Sequence, residues 1–369
     1  MTEHTPLDVT QLSPAAQKAL GAGPGRMMAS RGLVPLPPAD QLAVLYQLAI
    51  DGDQNLATAA RTTAMGLPDT LMAGALANPA TDPRVLDLFA QLVADTPAAF
   101  EALVANPNTS DPTIAFLAAN GGSREVDRIA TNEQRLLRYP QIIAAMYQNK
   151  AARMSTVDRI VELAVRNAVR VPGLAAWDEI ARALQAHPPP PGSYAEADTL
   201  LMSALAVGEE HALVVGDADK VLPELGDDKP LEEDKPFNKL SVPGKIRAAT
   251  LGNGVIRGAA IRDPIRMVAM AAIKSPGVTE FEAARYASNP GLSEDVIKYI
   301  TLKREWTKLY GIKYALCRNP KTPVTETMRF LPFLREKDLA AISKSRGVPS
   351  AVVAQARKLV SQRNGPAKK

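Results

Sequence analysis

The chain has one cysteine, three histidines and two tryptophans in 369 residues, and aromatic residues make up only 5 % of it. The lone thiol, Cys317, excludes an intrachain disulfide and a thiolate metal cluster, and it fits a reducing compartment. His4, His187 and His211 fall in the amino-terminal tail, a proline run and the mouth of an acidic stretch. None stands at useful spacing from a nucleophile, so Ser–His–Asp or Cys–His chemistry is not expected. The densest carboxylates, Asp227, Asp228, Glu232, Glu233 and Asp234, lack the glycine and terminal glutamate of a calcium loop. Gly252, Gly254 and Gly258 miss the dinucleotide spacing by one residue, and no strand precedes them. No cofactor, metal or small-molecule ligand is expected, and the chain does not read as an enzyme. Long apolar runs are absent too: nothing approaches the roughly 20 residues that span a bilayer. Met1–Leu20 has no basic start followed by an apolar core. The reading is a cytoplasmic protein.

What is present is aliphatic. Hydrophobic residues make up 46 % of the chain, led by alanine and leucine. Such small side chains favour close helix–helix packing over sheets, which draw on β-branched and aromatic residues. The expected fold class is all-α, and 369 residues exceed a single core.

One phrase recurs. Ala77-Asn78-Pro79-Ala80-Thr81-Asp82-Pro83 and Ala105-Asn106-Pro107-Asn108-Thr109-Ser110-Asp111-Pro112 each precede an apolar run. Ser288-Asn289-Pro290 and Arg318-Asn319-Pro320-Lys321-Thr322-Pro323 repeat it, with looser copies at Asp263-Pro264 and Ser275-Pro276. Asn tolerates the left-handed conformation that ends a helix, and the following proline cannot continue one. Thr81 or Asp82, Asp111, Ser293 and Thr322 then stand where the next helix needs a cap, and Thr279 with Glu282 has capping-box spacing. The asparagines lie 28 (Asn78 to Asn106) and 30 (Asn289 to Asn319) residues apart, a helix pair each. This period predicts a helical-repeat solenoid.

The Asn-Pro-x-Thr-Pro phrase followed by an apolar helix resembles HEAT-like and variant leucine-rich-repeat proteins of bacteria. The segments Ile246–Asn253, Arg304–Thr307, Arg318–Pro323 and Lys337–Pro349 resemble a group of bacterial helical-repeat proteins over roughly residues 240–363. The resemblance implies a fold and no chemistry. The cysteine cluster of some variant-repeat proteins is missing, which removes any iron–sulfur role.

Charge is divided along the chain. Residues 235–369 hold 26 Lys+Arg against 9 Asp+Glu, a balance of +17, which leaves 17 basic and 30 acidic residues, −13, in 1–234. Residues 209–234 carry 10 acidic and 2 basic residues among glycines and prolines, a composition that buries too little apolar surface to order itself. The expected organisation is an irregular segment 1–39, rich in helix breakers, then a helical-repeat domain 40–208 beginning at an Asp40 cap. An acidic linker 209–236, a basic helical-repeat domain 237–363 and a disordered tail 364–369 follow. The basic domain is the candidate interface. Its expected partner-binding residues are Arg247, Arg257, Arg262, Arg266, Lys303, Arg304, Trp306, Lys308, Lys313, Arg318, Lys344 and Arg346. Arg262 with Arg266 and Arg304 with Lys308 have the spacing of a shared helix face. Trp306 beside Lys303 reads as a hot spot or a stacking platform. The expected function is a non-enzymatic scaffold whose basic face receives an acidic protein surface, with nucleic acid as the alternative partner.

Overall fold

The computed structural model describes residues 4–21, 23–93, 96–186, 194–207 and 235–363. Among them the regular structure is helical throughout, with no strand, and no helix is long and apolar enough to cross a membrane. The chain divides into two compact units, Met1–Gly173 and Leu174–Lys369.

The first unit holds α1 (Pro14–Leu20), α2 (Pro24–Ser30), α3 (Pro38–Ala49), α4 (Gln54–Met65), α5 (Asp69–Ala77) and α6 (Pro83–Val93). It continues with α7 (Pro97–Ala105), α8 (Asp111–Asn120), α9 (Ser123–Ile129), α10 (Glu133–Arg138), α11 (Gln141–Gln148) and α12 (Met154–Arg166). None exceeds 13 residues, too short to persist alone in water, so tertiary packing holds them. Helix α3 packs on α4 and α5, α5 on α7, and α8 on α11. Leu45, Leu76, Leu86, Phe89, Phe100, Leu103 and Ile114 are fully enclosed, each contributing about 1.5–3 kcal/mol by leaving water.

The second unit begins with α13 (Trp177–Ala186), α14 (Tyr194–Val207), α15 (Lys235–Asn238), α16 (Val242–Leu251), α17 (Gly254–Ala260) and α18 (Arg266–Lys274). Then come α19 (Glu280–Ser288), α20 (Glu294–Leu302), α21 (Arg304–Thr307), α22 (Tyr310–Arg318), α23 (Val324–Phe330), α24 (Glu336–Ser343) and α25 (Ser350–Arg363).

Several expectations need correction. Residues 1–39 are not wholly irregular: α1 and α2 form there and pack on α3 and α4, because Pro14 and Pro24 occupy first-turn positions where a proline starts a helix. Asp40 does not cap α3, which begins two residues earlier; its carboxylate accepts from the Ser13 hydroxyl instead. The units part between Gly173 and Leu174, upstream of the expected boundary at 208/209. Trp177, Ile180 and Ala183 of α13 are buried, and α13 packs on α16 and α18, with Lys274 bonding both Glu179 carboxylate oxygens at 3.0 Å. The linker expected at 209–236 lies outside the described residues except for Lys235 and Pro236, which open α15; the proline run 187–192 and the tail 364–369 also lie outside.

The recurring phrase ends helices, but not by a left-handed asparagine. Asn78, Asn106, Asn289 and Asn319 are all extended, with φ between −66° and −89°. Left-handed helix ends occur instead at Gly32 (φ 68°) after α2, where the Leu33 and Gly32 amides reach back to Met28 and Ala29, and at Ala168 (φ 54°), where the Val169 and Ala168 amides reach back to Ala164 and Val165. Two of these asparagines, and Asn149 outside the phrase, instead use their side-chain amides as clamps, while Asn78 and Asn289 only accept the amide two residues on. Asn106 Nδ2 donates to the carbonyls of Leu76 (2.6 Å) and Asn78 (2.9 Å), in the preceding copy of the phrase. Asn149 donates likewise to Ala118 and Gly121, and Asn319 to Ala287 and Asn289. Each Oδ1 accepts the amide two residues on. Thr81, Thr109 and Thr322 then donate to the carbonyl six residues back, 2.6–2.8 Å away. Thr322 therefore locks the turn rather than capping α23, and Ser110, not Asp111, caps α8. Ser293 caps α20, and Thr279 with Glu282 forms the capping box.

Candidate partner-binding face of the second unit

Two of the expected interface arginines point inward. Arg247 on α16 is fully buried. Arg257 is 6 % exposed and clasps Glu282 with Nε and Nη2 at 3.0 and 2.9 Å, while Nη1 donates to the Gly252 carbonyl at 2.6 Å. The repeat explains this placement. In the copy around Ser275 no asparagine is present: the Ser275 hydroxyl donates to the Thr250 carbonyl at 3.1 Å, and Arg257 takes the Gly252 carbonyl that an asparagine amide would otherwise serve. Gly277 belongs to the same arrangement, since a Cβ there would stand 2.8 Å from Arg257 Nη1. Burial, then the Glu282 carboxylate, push the Tyr286 hydroxyl well above its ordinary value. Arg247 and Arg257 are interior groups.

The two expected cation pairs differ. Arg262 is exposed, but it lies between α17 and α18, so it does not share a helix with Arg266. Arg266 is held by the chain's own Asp295 through two bonds of 2.5 and 2.9 Å, which depress the Asp295 carboxyl and raise the guanidinium. Arg304 and Lys308, by contrast, are exposed at the start and end of the single turn α21, and no ion pair engages either among the described residues.

Around that turn a continuous cationic corner forms. Lys303 ends α20 with its ammonium 5.8 Å above the Tyr299 ring and 5.9 Å above Trp306, whose rings meet edge to face. Lys313 on α22 reaches back to the Lys308 carbonyl at 3.3 Å and covers the Phe333 ring at 5.3 Å. Tyr310 donates to Asp338 and accepts the Arg335 amide at 2.9 Å, and the Arg335 guanidinium lies 4.4 Å above the Tyr310 ring. Burial first, and then the Asp338 carboxylate, push the Tyr310 hydroxyl up to about 12.

Within this corner two apolar side chains face solvent: Leu302 is 64 % exposed and Phe333 65 %. Lys298, four residues before Leu302, is exposed on the same face of α20. Lys298, Leu302, Phe333 and Arg335 were missed by sequence reasoning. A signal existed for Leu302: Val296, Ile297 and Ile300 form the buried stripe of α20, and Leu302 stands off that stripe. Nothing comparable marks Phe333, which follows Pro332 in a 3-10 turn.

The remaining candidates lie apart. Arg318 is exposed over Tyr314 at the far end of α22, about 12 Å from Tyr310 by helix rise. Lys344 ends α24, away from Asp338, and Arg346 follows it in an exposed turn. Trp306 is only 8 % exposed, so its ring faces are spent inside the protein. Cys317 is enclosed, and burial pushes its thiol up to about 12. No protein-family model, curated protein or solved structure matches the chain.

Proposed function

We propose that the chain is a non-enzymatic scaffold of HEAT-like helical repeats, and that the cationic corner of its second unit binds an acidic protein segment. The observation that carries this reading is the placing of Arg304 and Lys308, exposed and unpaired among the described residues, beside the exposed Leu302 and Phe333. Solvated lysines need no apolar neighbours; a docking surface combines an apolar anchor with charges that set orientation and rate. The repeat reading is supported by the amides of Asn106, Asn149 and Asn319, each of which bonds two carbonyls at the end of a helix 28–32 residues back.

A protein partner is favoured over nucleic acid by the aromatic residues. Base stacking requires open ring faces. Trp306 is buried and Tyr299 lies beneath Lys303, so among the described residues Phe333 is the one ring of the corner that is mostly exposed, too few for a run of stacked bases.

The test is fluorescence anisotropy of the full chain with a labelled peptide of alternating Glu and Leu at two salt concentrations. Saturable binding should weaken at high salt and drop at least tenfold in Arg304→Glu/Lys308→Glu. Absence of binding at low salt, indifference to the charge reversal, or tighter binding of an oligothymidylate of equal charge would each overturn the proposal.

A further inference from the structure

A different surface, in the first unit, is already occupied by the chain itself. Residues 4–7, outside any helix, lie against α3 and α6 and are gripped mainly through the backbone. The Leu7 amide donates to Gln47 Oε1 at 2.8 Å, and the Thr5 carbonyl accepts from the Tyr46 hydroxyl at 2.8 Å. The Pro6 carbonyl accepts from Arg84 Nη1 at 2.8 Å. Only one side chain of the segment is enclosed, that of Leu7; Thr5 and Pro6 face solvent. His4 closes the end, edge-on to Tyr46 at 5.9 Å and 3.4 Å from the Gln91 amide.

The groups doing the gripping are set in advance by the helices. Arg84 is clamped by Asp82 through Nε at 3.0 Å and Nη2 at 2.8 Å, which leaves Nη1 aimed at the segment. Tyr46 is fully buried apart from the reach of its hydroxyl. Three side chains serving three successive backbone groups, with one apolar anchor, constitute main-chain recognition of an extended peptide; it tolerates variation wherever the side chain points outward.

We propose that this groove, formed by Tyr46, Gln47, Arg84 and Gln91, is a peptide-binding site for an extended segment with a leucine-sized anchor. Residues 4–7 occupy it as an internal competitor. A tethered segment acts at an effective concentration in the millimolar range, so an external peptide binds with an apparent affinity reduced by the small fraction of open grooves. Weakening the internal segment should therefore uncover the site.

The experiment uses the full chain and a fluorescein-labelled synthetic peptide of residues 1–12. Leu7→Asp, or the milder Leu7→Ala, removes the internal anchor. Either variant should bind the peptide at least tenfold more tightly than the unaltered chain does. The gain should vanish for a peptide carrying Asp at the Leu7 position, and on adding Gln47→Ala and Arg84→Ala to the protein. Hydrogen exchange gives an independent reading, because the Leu7 amide of the unaltered chain should be protected. No saturable binding by a Leu7 variant of unchanged helical content overturns the proposal, and so does binding indifferent to the peptide's leucine. Free exchange at Leu7 overturns it without any variant.

Discussion

At the scale of single residues, the asparagines of the repeated phrase are the most informative. Their spacing was legible in the sequence, and so was their role as helix ends. Their mechanism was not. A left-handed turn and an amide clamp both call for Asn followed by Pro, and only the direction of the side chain separates them. Asn319 is buried, donates to two carbonyls of the preceding copy and accepts the Lys321 amide. Asn319→Ala should therefore leave two enclosed carbonyls unserved and destabilise the second unit by about 2–4 kcal/mol. Asn319→Asp keeps the acceptor but not the donors, and should do no better. Asn289→Ala gives up only the local bond from the Gly291 amide and should cost about 1 kcal/mol or less. Trp177 and Trp306, the chain's two tryptophans, both lie in the second unit, so urea titration followed by their fluorescence reads that unit directly. Equal losses for Asn289→Ala and Asn319→Ala would contradict the clamp.

Between elements, the Arg257–Glu282 pair ties α17 to α19 across a break where the asparagine is missing. This is where reasoning from the sequence failed for a definite reason. Charge counting treats every arginine as solvated, and helix spacing says which residues share a face without saying which face is covered. Arg257 is interior because the repeat needs a donor at the Gly252 carbonyl, and Arg247 is fully buried on α16. The exposed corner was legible only in part: Lys303, Arg304, Lys308 and Lys313 are marked by their charge, whereas Leu302 is marked only by departure from the buried stripe of α20 and Phe333 by nothing. Breaking a buried ion pair by deleting one partner strands the other charge, at a cost of about 3–5 kcal/mol. Arg257→Leu is expected to show that loss in the tryptophan-monitored urea midpoint. The double variant Arg257→Leu/Glu282→Leu should recover part of it, though not all, because the Gly252 carbonyl and the capping box with Thr279 remain unserved. Additive losses from the two single substitutions would show that the pair does not couple the helices.

For the molecule as a whole, the net charge of +4 conceals opposing blocks, and the response to pH follows from where individual groups are held rather than from that total. In the first unit, the backbone amide of Asp53 depresses the Asp51 carboxyl and the Arg84 side chain depresses that of Asp82. At Asp111 burial pushes upward, but the bonds from Arg138 and Arg135 prevail and the net direction is down. Asp295 in the second unit is lowered chiefly by Arg266. A carboxyl depressed in the folded state contributes stability that is present above its unfolded value of 3.8 and is lost as pH falls through the folded value. The opposite edge belongs to Tyr310 and Cys317, raised from 10.0 and 9.0 to about 12, and to Tyr286, raised beyond that. These groups favour the folded state fully below their unfolded values, and the contribution drains away as pH climbs toward the folded ones. Melting followed by far-ultraviolet circular dichroism should accordingly give its highest midpoints between about pH 5 and 9 and decline on both sides. Because Tyr310 carries one of the alkaline groups, Tyr310→Phe should make the decline above pH 10 shallower while leaving the acid limb in place. Asp82→Asn should do the reverse, flattening the acid limb alone. An acid limb untouched by Asp82→Asn, or an alkaline limb as steep in Tyr310→Phe as in the unaltered chain, would mean that these contacts do not govern the edges of the folded range.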